Sequence, residues 1–308
     1  MDSTETGISF IIPAYNEENM LAPTIDRLHD ALSGLDLSFE IIVVNDGSQD
    51  GPRQAAESAS NASVFSHPVN TGYGSAIKTG ILASRYSWIG IVDADGTYDI
   101  EQLPLLVDKM KEGFDMAVVS RENILKMDKP LKRFFRRILL SFINIFISAK
   151  IQDPNSGFRI FKKDLAMTFF PFLCNTFSFT TSITIFAMGE GYFVCYVPTN
   201  YTERTGISKV RHFRDSLRMI QLIMQGITFF NPVKFYLMLS ALLVFFVALP
   251  AAALTTLGWS SLALQYVIIG SASTLLLGLG VMVDILRISS TYAIDKNKRL
   301  TAEADASD

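Results

Sequence analysis

Cysteine is scarce in these 308 residues: only Cys174 and Cys195 occur, and neither belongs to a CxxC or Cys/His cluster. That excludes a disulfide framework and a structural zinc site, and both thiols are expected to be buried and structural. Histidine is nearly absent too. His29, His67 and His212 share no motif with a serine and an aspartate, so no Ser/His/Asp triad is expected, and the three read as surface or packing residues. A net charge of −3 gives no global attraction to nucleic acid. Charged residues make up only 19% of the chain, below the roughly 25% of a soluble domain, so part of the chain is expected to lie out of water. The opening MDSTETG lacks the basic and apolar regions of a secretory signal, and no internal repeat is evident.

The apolar excess is concentrated. Phe235 to Leu257 and Leu262 to Val283 are two runs without a charge, separated by Gly258-Trp259-Ser260-Ser261. Each is long enough as a helix to cross a hydrocarbon core of about 30 Å, so a transmembrane hairpin is expected, with Pro250 as a kink. Lys234 precedes the first run, Arg287, Lys296, Lys298 and Arg299 follow the second, and the connecting loop has no Lys or Arg. The positive-inside rule then puts both termini in the cytoplasm. Small residues at Gly270, Ser271, Ser273, Gly278 and Gly280 permit close packing, within the hairpin or between copies of the chain.

Before the hairpin, buried-strand runs alternate with helical spacing. Ile8 to Ile12, Phe39 to Val44, Val64-Phe65 and Trp88 to Val92 read as strands. Helices are expected from Tyr15 to Leu32, 51 to 60, and after Gly74 to about Ser84. This alternation predicts an α/β fold with a parallel sheet, whose functional loops gather at the carboxyl ends of the strands. Pro13-Ala14-Tyr15-Asn16-Glu17, Asn45-Asp46-Gly47 and Asp93-Ala94-Asp95 all stand at such ends. Asp93 and Asp95, one residue apart, are costly to keep ionised together unless a cation joins them. A hard divalent ion, Mg²⁺ or Mn²⁺, accepts carboxylate and phosphate oxygens at once.

The stretches IIPAYNEE, VVNDGSQD, NTGYGSAIKTG and VDADG, followed by QDPNSGFRIFKK and RTGISKVR, resemble in order and spacing the family 2 glycosyltransferases of the GT-A (Rossmann-like) fold. They are most similar to the polyprenyl-phosphate branch, which includes dolichyl-phosphate mannose synthase and undecaprenyl-phosphate glucosyltransferases. The resemblance implies a membrane-anchored, metal-dependent, inverting transfer of one hexose from a nucleotide sugar to a polyprenyl phosphate, without nucleic acid. Pro13, Tyr15, Glu17, Asp46, Asp93 and Lys209 would then bind the nucleotide. Asp95, Asp93 and Thr97 would meet the metal. Ser120, Arg121, Arg137 and Ser141 would meet the acceptor phosphate, and Arg204 and Lys209 belong to a loop that closes over the diphosphate. Asp153 would act as a base or orient acceptor groups; an acceptor phosphate already ionised favours orientation. The implied divisions are 1–125 for the nucleotide-sugar-binding part, 126–231 for the acceptor part with interfacial helices, 232–290 for the hairpin and 291–308 for a cytoplasmic tail.

Two positions depart from the family pattern. Asn45 stands where an aspartate is commoner, and Gly96-Thr97 replaces a Leu-Gln that often follows the DxD in mannose synthases. The second favours a UDP-sugar over GDP-mannose. The segments 129–150 and 209–230 each begin with basic residues and continue with large apolar ones, as interfacial helices do. A processive polysaccharide synthase is disfavoured because neither Trp88 nor Trp259 follows Gln-x-x-Arg. A nonenzymatic adaptor is disfavoured by retention of Asp46, Asp93, Asp95, Arg121 and Arg204.

Overall fold

The structure, a computed structural model, describes residues 5–50, 61–121, 151–199 and 232–305, together with Arg133, Arg137, Ser141, Asn144 and Gln221 singly. The expected helix at 51–60, most of both interfacial segments, and the Arg204 and Lys209 loop lie outside the described residues. The chain divides into two units, Met1–Met219 and Ile220–Asp308.

The first unit is built on a seven-stranded sheet: β1 (Glu5–Ala14), β2 (Phe39–Asn45), β3 (Ser63–Ser66), β4 (Tyr86–Ile91), β5 (Met116–Arg121), β6 (Arg159–Lys162) and β7 (Val194–Thr199). Their order is β3-β2-β1-β4-β6-β5-β7. The first four are mutually parallel, as the alternation predicts. The sheet as a whole is mixed, because β6 runs antiparallel to both β4 and β5. Its four residues follow QDPNSGF and give too short a signal to separate a strand from the loop before it.

From Ile8 to Ala14 strand β1 is apolar except for Ser9, because both of its faces are covered. Ile8, Phe10, Ile12 and Ala14 join the core formed with helices α1 (Glu18–Ser33) and α3 (Leu103–Lys111). On the other face Ile11 packs against Gly80 of helix α2 (Tyr73–Ala83). Short helix α4 (Lys163–Thr168) and the buried helix α5 (Phe179–Gly189) complete the described part of this unit.

The second unit holds α6 (Pro232–Leu243), a π-helical turn at Val244–Ala248, α7 (Leu249–Thr256) and α8 (Ser260–Asp305). Two stretches, Val233–Thr256 and Ser260–Val283, are each 24 residues of high mean hydropathy. Leu237, Phe245 and Leu276 are among many large apolar side chains left exposed there, and both stretches are long and apolar enough to cross a membrane. Pro250 cannot donate to the carbonyl four residues before it. That carbonyl, on Phe246, accepts the Tyr266 hydroxyl at 2.8 Å, and the π turn absorbs the remaining misfit. Gly258, at φ +82°, ends α7 in the left-handed conformation. Gly270 and Gly278 pack on Val247 and Leu239, so both serve the hairpin itself. Helix α8 continues unbroken through the region read as a tail, to Asp305.

Candidate active site

Parallel pairing brings the predicted loops to one edge of the sheet. Ala14 lies level with Asn45, and Ile11 with Ile91, so the chain leaves β1, β2 and β4 in the same direction. Because β6 is antiparallel, its preceding loop, 152–157, enters at that edge as well, and β5 delivers Ser120 and Arg121 there.

The first two loops are stitched together. Asn16, left-handed at φ 52°, accepts the Gln49 N–H at 2.9 Å and donates its own N–H to Ser48 Oγ at 3.1 Å. Asn45 accepts the Ser48 N–H at 3.0 Å, a part that an aspartate also plays, which accounts for the departure at this position. Asp50 accepts the Glu18 N–H at 3.1 Å and so serves the start of α1. Pro13 is buried inside β1, while Tyr15 and Glu17 are half-buried beyond its end.

Asp46 is used by the chain itself. Its Oδ1 accepts from His67 Nδ1 at 2.7 Å, Thr71 N at 2.9 Å and Thr71 Oγ1 at 2.8 Å, and its Oδ2 accepts from Gly72 N at 2.7 Å. Burial alone would raise the Asp46 carboxyl, but the bonds from His67, Thr71 and Gly72 outweigh it and hold the pKa below the usual 3.8. An ionised carboxylate only accepts, so His67 Nδ1 carries a proton, and Nε2 lies 2.9 Å from Thr79 Oγ1. His67 is therefore part of the scaffold that holds the 67–73 turn. Gly72 adopts φ +109° there, a conformation that a side chain would strain.

Asp93 and Asp95 leave the end of β4 with different neighbours. Asp93 Oδ1 accepts the Tyr73 hydroxyl at 2.7 Å. A Cβ on Gly157 would overlap the Asp93 carboxylate. Burial first, then the Asp93 charge, pushes the Tyr73 phenol well above its usual 10, so it remains a donor. Asp95 Oδ1 accepts from Thr97 N at 3.1 Å and Thr97 Oγ1 at 2.6 Å. Thr97 thus stands behind Asp95 as an orienting group. Tyr98 accepts the Gly157 N–H at 2.6 Å and ties the DxD turn to the loop before β6. Among the described residues no cluster of three or more His, Cys, Asp or Glu could hold a metal. Two carboxylates with no nitrogen or sulfur ligand suit a hard ion that takes its other ligands from phosphate and water, which is how Mg²⁺ is usually held.

Arg121 and Asp153 form a bidentate pair: Nε to Oδ2 at 2.7 Å and Nη2 to Oδ1 at 2.8 Å, with side chains 10% and 4% exposed. Arg159 is fully buried and donates to the Pro154, Ser156 and Thr180 carbonyls and to Thr184 Oγ1. It pins the loop that carries Asp153 and Gly157 to α5. Ser120 is buried at the end of β5. Arg137 and Ser141 are both helical and exposed, and their spacing puts them on one helix face.

Comparison with known proteins bears on this arrangement. The family model "Glycosyl transferase family 2" matches residues 9–170. The chain belongs to that family. A Dictyostelium discoideum protein named dolichyl-phosphate beta-glucosyltransferase is 32% identical over 71% of this chain and 73% of its own. A Yersinia pestis undecaprenyl-phosphate 4-deoxy-4-formamido-L-arabinose transferase is 30% identical over 58% of each. Both names fall in the polyprenyl-phosphate branch that the motifs resemble. A Haloferax volcanii hexosyltransferase is 29% identical over 70% of this chain, which spans about half of that relative. Glucosyl-3-phosphoglycerate synthase from Mycobacterium tuberculosis, crystallised with UDP, shares 20% identity at a TM-score of 0.59, covering 72% of this chain and 80% of its own, and shares the GT-A-like fold.

Within this family 2 domain the structure brings Asp46, Asp93, Asp95, Thr97, Ser120, Arg121 and Asp153 to one sheet edge. Sequence reasoning missed His67, Tyr73, Tyr98 and Arg159. Tyr73 and Arg159 carried a signal, each lying in a quoted motif, and Tyr98 stands two residues after one. His67 carried none.

Proposed function

We propose that this family 2 glycosyltransferase moves one hexose from a nucleotide sugar, a UDP-sugar in preference to GDP-mannose, to a polyprenyl phosphate at the cytoplasmic membrane face. The observation that carries the proposal is the placement of Asp93 and Asp95 at the end of β4, on the same sheet edge as the Arg121–Asp153 pair. Relatives named for transfer to dolichyl and undecaprenyl phosphate support the acceptor class. Asp93 and Asp95 would hold Mg²⁺ or Mn²⁺, with Thr97 orienting Asp95. The ion would neutralise charge on the departing diphosphate.

The residues of the chain do the rest. Tyr15 and Glu17 border the nucleotide, and Asp46 shapes the turn beside it. Asp153 holds the Arg121 fork in place for the acceptor phosphate, which Ser120, Arg137 and Ser141 would also meet, and Arg204 and Lys209 would bind the diphosphate. The acceptor needs no base, because a phosphate monoester is largely ionised near neutral pH. Its oxygen forms a bond to the anomeric carbon as the bond to the diphosphate breaks, the diphosphate keeps the electron pair, and the configuration inverts. The two apolar helices anchor the enzyme, and the Lys and Arg that flank them support cytoplasmic termini.

Nucleotide binding tests the reading against a nonenzymatic adaptor. Calorimetric titration of the full chain with UDP and with GDP is expected to show binding that requires Mn²⁺ or Mg²⁺. No binding of either, with or without metal, would overturn the proposal.

A further inference from the structure

We propose that Tyr73 is a positioning residue for Asp93. Its hydroxyl holds Oδ1 of the carboxylate while Gly157 packs closely against the same group, and the two together fix the orientation in which Asp93 meets the divalent ion. The inference rests on the metal reading above and adds the residue that sets one of its two carboxylates.

Tyr73 is itself rigidly placed. It is the first residue of α2, and the turn before it is held by Asp46 through the Thr71 and Gly72 N–H groups. The next turn is held from the other side, because Ser75 donates its N–H to the Asn175 carbonyl at 3.0 Å. A Cβ on Gly74 would strike the Cys174 carbonyl, so α2 lies directly on the 174–175 backbone. The Tyr73 ring stacks on Phe177, centroids 5.6 Å apart and planes 15° apart. With backbone and ring both constrained, the hydroxyl is delivered to Asp93 Oδ1 at 2.7 Å at little entropic cost. The same carboxylate leaves no room for a side chain at position 157. A chain of contacts therefore runs from Asp46 at the end of β2, through the 71–73 turn, to the carboxylate at the end of β4. A ring that only filled space would need no hydroxyl. Groups that orient metal ligands through hydrogen bonds commonly change metal affinity by 10–100-fold when removed.

The test is Mn²⁺ binding to the full-length protein, read by electron paramagnetic resonance with UDP and with GDP as separate probes. Tyr73→Phe keeps the ring and its stacking and removes only the hydroxyl. It is expected to bind Mn²⁺ about tenfold more weakly, to melt near the wild-type temperature without metal, and to recover its kcat for transfer at saturating Mn²⁺. Gly157→Ala, which crowds the Asp93 carboxylate with Tyr73 intact, is the second arm and is expected to weaken Mn²⁺ binding as well. Asp95→Asn serves as the reference. Wild-type Mn²⁺ affinity in folded Tyr73→Phe or Gly157→Ala, with Asp95→Asn impaired, would overturn the positioning role alone. Wild-type affinity in Asp95→Asn too would overturn the metal reading and this inference with it.

Discussion

Replacing Asp153 by asparagine separates a base from an orienting group. The buried carboxylate meets Arg121 through two bonds of 2.7 and 2.8 Å. Opposite unit charges about 4 Å apart attract by about 4 kcal/mol at an effective dielectric constant of about 20. Removing one partner of a buried pair costs about 3–5 kcal/mol, because the other charge remains uncompensated. Asparagine makes the fit worse, since its amide N–H₂ would face guanidinium N–H. For a body of about 200 residues, each kcal/mol lowers the melting temperature by about 2–4 °C, so a fall of about 6–20 °C is expected. The assay is thermal unfolding of the full chain in detergent, followed by kinetics of the surviving folded enzyme at lower temperature. An orienting role predicts a raised KM for lipid phosphate and an unchanged shape of the kcat–pH profile. A melting temperature within 2 °C of wild type, or loss of an acidic limb in kcat with KM unchanged, would refute the reasoning.

Asp46→Asn is expected to cost about 1–3 kcal/mol at pH 7, because a buried acceptor of four bonds loses its charge. The folded-state pKa of Asp46 is lowered, so its contribution is present above the unfolded value near 3.8 and fades as pH falls through the folded one; the melting difference from wild type should narrow below pH 3.8. Tyr266→Phe strands the Phe246 carbonyl, and the hairpin should lose about 0.6–1.7 kcal/mol, measured by detergent titration of unfolding. Arg137→Lys keeps the charge and loses the bidentate fork; it should raise KM for lipid phosphate about tenfold and spare nucleotide-sugar binding, and a weakened donor affinity instead would move Arg137 to another site.

The parts of this fold legible in the sequence were those with a strong period or a long apolar run. β1, β2 and β4 are buried on both faces, so their apolar runs stand out, and the motifs after them fall at strand ends. The hairpin was legible for the same reason. β6 was not, because four residues between a loop and a helix have no measurable period, yet its antiparallel direction is what brings Gly157 beside Asp93 and Asp153 beside Arg121. The roles of Asp46 and Thr97 also needed coordinates. Sequence places a carboxylate or a hydroxyl at a strand end, but not whether it turns toward a ligand or back to its own chain. His67 and Arg159 work through bonds to residues 12 and 25 positions away, a pairing that no local pattern encodes.

The central claim is transfer to a polyprenyl phosphate, and product analysis tests it most directly. Purified full-length protein is incubated with Mn²⁺, a short polyprenyl phosphate, and radiolabelled UDP- and GDP-hexoses in turn, and the lipid fraction is counted and its anomeric configuration read by NMR. The account predicts one hexose per lipid phosphate, from a UDP-sugar in preference to GDP-mannose, with inverted configuration and no product from Asp95→Asn. Label recovered as a polysaccharide, or a lipid product formed equally well by Asp95→Asn, would contradict it.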